Sequence, residues 1–111
     1  MAIAVRKLKL QAKGAVLDIP IHIFAPVLQP TGAWRCDHEI AWPDGPSKKS
    51  TYGVDSMQAL ILALQMIGAE LYSSAAHEAG SLFWDKPGNG YGFPVMPSLR
   101  DLLVEEDARY L

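Results

Sequence analysis

The chain has one cysteine, Cys36, among its 111 residues. No intramolecular disulfide can form, and a cysteine-rich zinc site is excluded. Charge of one sign is also missing. Ten Lys and Arg against twelve Asp and Glu, with a sequence pI near 5.8, leave no field that would draw a nucleic-acid backbone. Nucleic acid is therefore not an expected partner. Long apolar runs are scarce as well: Met1-Ala-Ile-Ala-Val meets Arg6-Lys-Leu-Lys at once, unlike an export signal. The greasiest segment, Asp55–Gly80, is interrupted by Gln58, Gln65 and Glu70, so it reads as a core helix and not a membrane span. These absences together make the cytoplasm the expected location.

Half of the residues are apolar and a fifth are charged, as in an ordinary globular chain. The length suits a single domain over 1–111 with a packed core. Residues 3–12 alternate as a strand, with Leu8 and Leu10 on one side and Lys7, Lys9 and Gln11 on the other. Ile19, Ile21 and Ile23 share one side of a second strand, in which Pro20 implies an edge or a bulge. The cleanest alternation sets Trp34, Cys36, His38, Ile40 and Trp42 against Arg35, Asp37 and Glu39, which marks a central strand. After the turn Pro43-Asp44-Gly45-Pro46, Lys48–Val54 is expected to return as a strand with Tyr52 and Val54 inward.

Asp55 suits a helix N-cap with Gln58 closing a capping box, and Gly80 suits a C-terminal stop. A continuous helix between them would be ~36 Å long. At 100° per residue, Met57, Leu60, Ile61, Leu64, Ile67, Gly68, Leu71, Tyr72 and Ala75 form the expected core stripe. Ala59, Leu62, Ala63, Met66 and Ala69 lie opposite, so a second apolar flank also asks for cover. Gly68 costs the helix about 1 kcal/mol relative to alanine, which implies a close approach; Trp34 or Trp42 is the expected neighbour. Asn89-Gly90 signals a hairpin between Leu82-Phe-Trp and Tyr91-Gly-Phe-Pro, and Ser98 can cap a short helix from Leu99 to about Asp107. The resulting class is α+β: a meandering antiparallel sheet of four to six strands, one long helix across a face, and a short C-terminal helix.

Chemistry-bearing patterns are sparse. Cys36 and His38 share a face, but their flanking Trp34, Ile40 and Trp42 make both core residues before they are a nucleophile or metal pair. His77 has a role near a helix C-terminus, where a basic group favours the dipole. Gly45-Pro-Ser-Lys-Lys-Ser-Thr lacks the second glycine of a phosphate loop, and Gly88-Asn-Gly-Tyr-Gly has turn chemistry without the strand–helix context of a dinucleotide site. Asp37, Glu39 and Asp85 read as a solvated surface. No catalytic residue, cofactor or metal site is expected.

The run Trp34-x-Cys36, Gly53-Val-Asp-Ser-Met-Gln-Ala-Leu with its helical continuation to Gly68, Leu82-Phe-Trp84 and Gly92-Phe-Pro94 resembles a family of small bacterial domains of unknown function. The resemblance covers roughly residues 30–96 and implies a small α+β domain, with no activity or cofactor attached. Two functional expectations follow from the residues. One is a non-enzymatic protein-interaction module, self-associating or docking to a partner as an immunity or accessory factor would, through Leu62, Met66, Trp84, Tyr91 and Phe93. The other is a small-molecule-binding or enzymatic domain with a pocket between the long helix and the sheet, lined by Trp34, Cys36, His38 and Trp42.

Overall fold

A computed structural model describes residues 1–95 together with Val104 and Asp107. The expected helix of 99–107 lies outside the described residues, apart from those two positions. Among the described residues the fold is α+β: a six-stranded antiparallel sheet with one long helix and one short helix. Strands β1 (Ala2–Ala12) and β2 (Ala15–Phe24) form a long hairpin around Lys13-Gly14, both at positive φ. Strand β4 (Trp34–Ile40) is flanked along its whole length by β5 (Ser47–Gly53). On its other side β2 pairs at residues 38–40, and the two-residue β3 (Val27–Leu28) takes over at 34–35. Beyond β1 comes the short β6 (Leu82–Phe83).

Alternation decides which face is dry. Leu8, Ile19, Ile21, Ile23, Cys36, His38 and Ile40 are all buried on the helix side, as the strand patterns predict. Pro20 sits where β4 has just left the sheet. Its carbonyl accepts from Ala41 N at 3.0 Å, so its missing N–H faces a local edge although β2 is an inner strand.

Strand β5 has the opposite phase to the expected one. Its register places Thr51 against Cys36 and Gly53 against Trp34, so these point at the helix, and Tyr52 and Val54 turn outward at 57% and 82% exposure. Two contacts enforce this. Thr51 Oγ1 donates to Ala59 O at 2.8 Å, and a Cβ on Gly53 would stand 2.5 Å from Ala59 N. Only glycine fits under the first helical turn.

The expected 24-residue helix is two pieces, α1 (Ser56–Tyr72) and α2 (Ala75–Glu78). Asp55 caps α1 by accepting from Gln58 N at 2.7 Å, and Gln58 Oε1 reaches back to Val54 N. The serines at 73 and 74 end it. Ser73 Oγ donates to Ala69 O and Ser74 Oγ to Leu71 O, each at 2.7 Å, and Ser74 then accepts from His77 N as the cap of α2. Short hydroxyl side chains compete with the helical ladder in this way. Gly80, at φ +70°, closes α2 as expected.

The buried stripe of α1 is Ala59, Ala63, Ile67, Gly68, Leu71 and Tyr72. Compared with the expected stripe, its N-terminal half has rotated onto the alanines, leaving Met57 and Ile61 exposed at 68% and 46%. Small residues against the sheet let the helix sit low; the larger side chains flank the contact. Gly68 faces neither Trp34 nor Trp42. A Cβ there would lie 2.1 Å from Pro94 O and 3.2 Å from Val95 Cγ1, so the glycine admits the backbone of residues 94–95.

Candidate functional site

The hairpin expected at Asn89-Gly90 does not form. Residues 91–95 carry no strand; they run past the helix and wrap a carboxylate. Asp107, 3% exposed, accepts from Tyr72 Oη at 2.7 Å, Tyr91 N at 2.9 Å and Gly92 N at 2.8 Å. Successive N–H groups aimed at one carboxylate make an anion nest, and the positive φ of Gly90 and Gly92 shapes it. Arg6 Nη1 donates to the carbonyls of Tyr91 and Gly92, while its guanidinium lies 3.8 Å from the Trp84 ring centroid and 4.9 Å from that of Phe93. His77 Nδ1 meets Tyr91 Oη, and its ring stands edge-on to Tyr72 and Tyr91. Burial, followed by the charge of Asp107, pushes the Tyr91 hydroxyl up to about 12, and burial with the Asp107 hydrogen bond raises that of Tyr72 further. With its polar groups partnered, this cluster is a structural latch.

The open chemistry lies on another flank of the C-terminal half of α1, from Met66 to the break after Tyr72. Strand β4 stops at Ile40, and Trp42 N bonds Ile40 O while Gly45 N bonds Trp42 O at 3.1 Å, which folds residues 42–45 into a tight corner. The break at Ser73-Ser74 turns α2 aside. Between the corner and the two helices lies a cleft of ≈ 690 Å³. Trp42, Met66, Ala69 and Leu10 supply its apolar walls, and Ala75 and Ala76 of α2 close one side.

Its polar centre is Glu70, whose side chain is 16% exposed. Glu70 Oε2 accepts from Trp42 Nε1, and Oε1 accepts from Ser47 Oγ and Lys49 Nζ, all at 3.0 Å. Burial pushes this carboxyl up, but the three hydrogen bonds and the Lys49 charge outweigh burial and hold it below its usual value. A charged Glu70 therefore fixes the plane of the Trp42 indole.

The expected site residues divide accordingly. Trp42 and Met66 line the cleft, one from each expected group. Leu62 is half-buried on the neighbouring flank of α1, and Trp84 is 40% exposed beneath Arg6. Tyr91 and Phe93 are 3% and 4% exposed, so their rings belong to the core and not to an accessible patch. Trp34 packs half-buried against the core. Cys36 is sealed, donating to Phe24 O at 3.4 Å; burial and the charge of Asp37 raise its thiol. His38 is 2% exposed and neither ring nitrogen has a hydrogen-bond partner among the described residues. Burial lowers its pKa, and Glu70 opposes that shift through its charge. No group of three or more metal-ligating residues occurs among the described residues.

Sequence reasoning missed Glu70, Lys49 and Ser47. The signal was present: Ser47, Lys49, Thr51 and Gly53 alternate in step, and reading Tyr52 and Val54 as inward placed them on the wrong face.

No helix among the described residues is long and apolar enough to cross a membrane. No curated protein matches the chain, and no solved structure does. A family model does match, over residues 4–95, from β1 through the Gly-Phe-Pro segment that packs on Gly68. The chain belongs to the family described as a domain of unknown function, DUF6968.

Proposed function

We propose that this domain binds a small organic molecule in the cleft between the α1–α2 break and the Trp42 corner. One observation carries the reading: ≈ 690 Å³ of concave, largely apolar space meets a polar centre organised around Glu70. Ligand sites have this character and fall in about this size range. The Trp42 indole is held by a charged, buried acceptor before any ligand arrives, so little ordering cost remains at binding. In this role the domain is a binding module.

A fragment screen followed by thermal shift tests this. Hits should raise the melting temperature of the wild-type protein and lose that effect in Ala69→Trp, which fills the cleft from an outward-facing helical position. Stabilisation that survives the filled cleft, or no hit from a diverse aromatic library, would count against the reading. A second reading, protein docking or self-association, is favoured by Met57 and Ile61, apolar, exposed and one turn apart on α1. It requires association that Ile61→Glu abolishes, measured by light scattering.

A further inference from the structure

We infer that the ligand of the cleft is an organic cation, an amine or related ammonium on an aromatic or aliphatic body; this rests on the cleft being a ligand site. Among the described residues, the charged ones lining it are Asp44, Lys49 and Glu70, two carboxylates against one ammonium. Lys49 is committed: its Nζ lies 3.0 Å from Glu70 Oε1, so it neutralises that carboxylate and offers no free positive field to an anion. Asp44 remains. It is exposed at the turn two residues from Trp42, and enters no ion pair among the described residues.

The aromatic wall points the same way. Trp is the strongest ring for cation–π attraction, and the Trp42 N–H donates to a carboxylate, which adds electron density to the indole face. A cation near this ring meets the Trp42 quadrupole and the Asp44 charge together. The apolar body of the same molecule would cover Met66, Ala69 and Leu10. An anion would meet a carboxylate that enters no ion pair among the described residues and a lysine already engaged.

Three probes of matched shape decide the charge: phenethylammonium, phenethyl alcohol and hydrocinnamate, titrated against the full chain by isothermal calorimetry. The ammonium should bind roughly tenfold more tightly than the alcohol, the carboxylate should bind weakest, and Asp44→Asn should remove most of the ammonium's advantage. Added salt should weaken the ammonium alone. Equal binding of alcohol and ammonium, tighter binding of the carboxylate, or an advantage unchanged in Asp44→Asn overturns the cation assignment while leaving the cleft as a neutral or anion site. If no probe binds and the fragment screen is also blank, both readings fall together. Asp44 is exposed, so its substitution leaves the fold intact, and circular dichroism of the variant checks that directly.

Discussion

Replacing Gly68 by alanine sets two calculable effects against each other. In a bare helix the change would stabilise by about 1 kcal/mol, since alanine is the better helix former. In this fold the new methyl would sit 2.1 Å from Pro94 O and 3.1 Å from Pro94 C, well inside contact distance. The obstacle is backbone, so no side-chain rotation relieves it. The segment must move, and it carries Phe93 and Val95, both buried. Overpacking of this kind costs about 1–3 kcal/mol when a core can partly adjust, and more where backbone must shift. We expect the clash to win, with a net loss of about 2 kcal/mol and a melting temperature lower by roughly 10 °C. Thermal unfolding followed by helical circular dichroism reads this directly. A melting temperature equal to or above that of the parent would mean that residues 94–95 do not press on α1, and the packing described for this end of the molecule would be wrong.

Other expectations follow from the latch. Asp107→Asn places an amide donor against Tyr91 N–H or Gly92 N–H whichever way it turns, and should cost about 3 kcal/mol in urea unfolding. A loss below about 0.5 kcal/mol would deny the nest its structural role. The Tyr91 hydroxyl, at about 12 in the fold against 10.0 ordinarily, resists ionisation only while folded. Its stabilising preference for the neutral form is intact below pH 10, where the unfolded chain begins to ionise, and is lost as the pH rises to about 12. The loss amounts to about 3 kcal/mol at full effect. Tyr91→Phe should therefore show a flatter stability profile across that window, and identical alkaline profiles would refute the assignment. Ser74→Ala removes the cap of α2 and the bond to Leu71 O. It should lower stability by about 1 kcal/mol, as loss of an N-cap does, and an unchanged melt would argue that the break has another cause.

The sequence made the sheet legible because its strands bury one side and wet the other. Leu8, the three isoleucines of β2 and the run from Trp34 to Ile40 all keep their expected sides. Strand β5 departs from its apolar pattern because its inward residues are Thr51 and Gly53. Neither is large and apolar; they face the helix because a small residue and one hydroxyl bond suit close contact. The helix illustrates a similar limit. Periodicity carried past Ser73 and Ser74 without a break, since apolar spacing is blind to hydroxyls that take backbone acceptors.

The site divides along the same line. Trp42 and Met66 could be named from their apolar character, and each belonged to a different expected surface. The shared phase of Ser47 and Lys49 is written in the alternation of β5, but their meeting with Glu70 is not, because Glu70 lies on α1 and only the packing of that helix brings the three together. Tyr91 and Phe93 look like recognition residues beside a glycine turn; their burial depends on Asp107, distant in sequence, drawing that turn inward.

The most direct test of the cleft is the indole N–H spectrum of the protein during ligand titration. Three tryptophans give three separate resonances, assigned by replacing each with phenylalanine. Phenethylammonium should move the Trp42 resonance in a saturable way and leave those of Trp34 and Trp84 in place. A saturable shift at Trp84 or Trp34 with Trp42 unmoved would place the ligand elsewhere and contradict the assignment of the cleft.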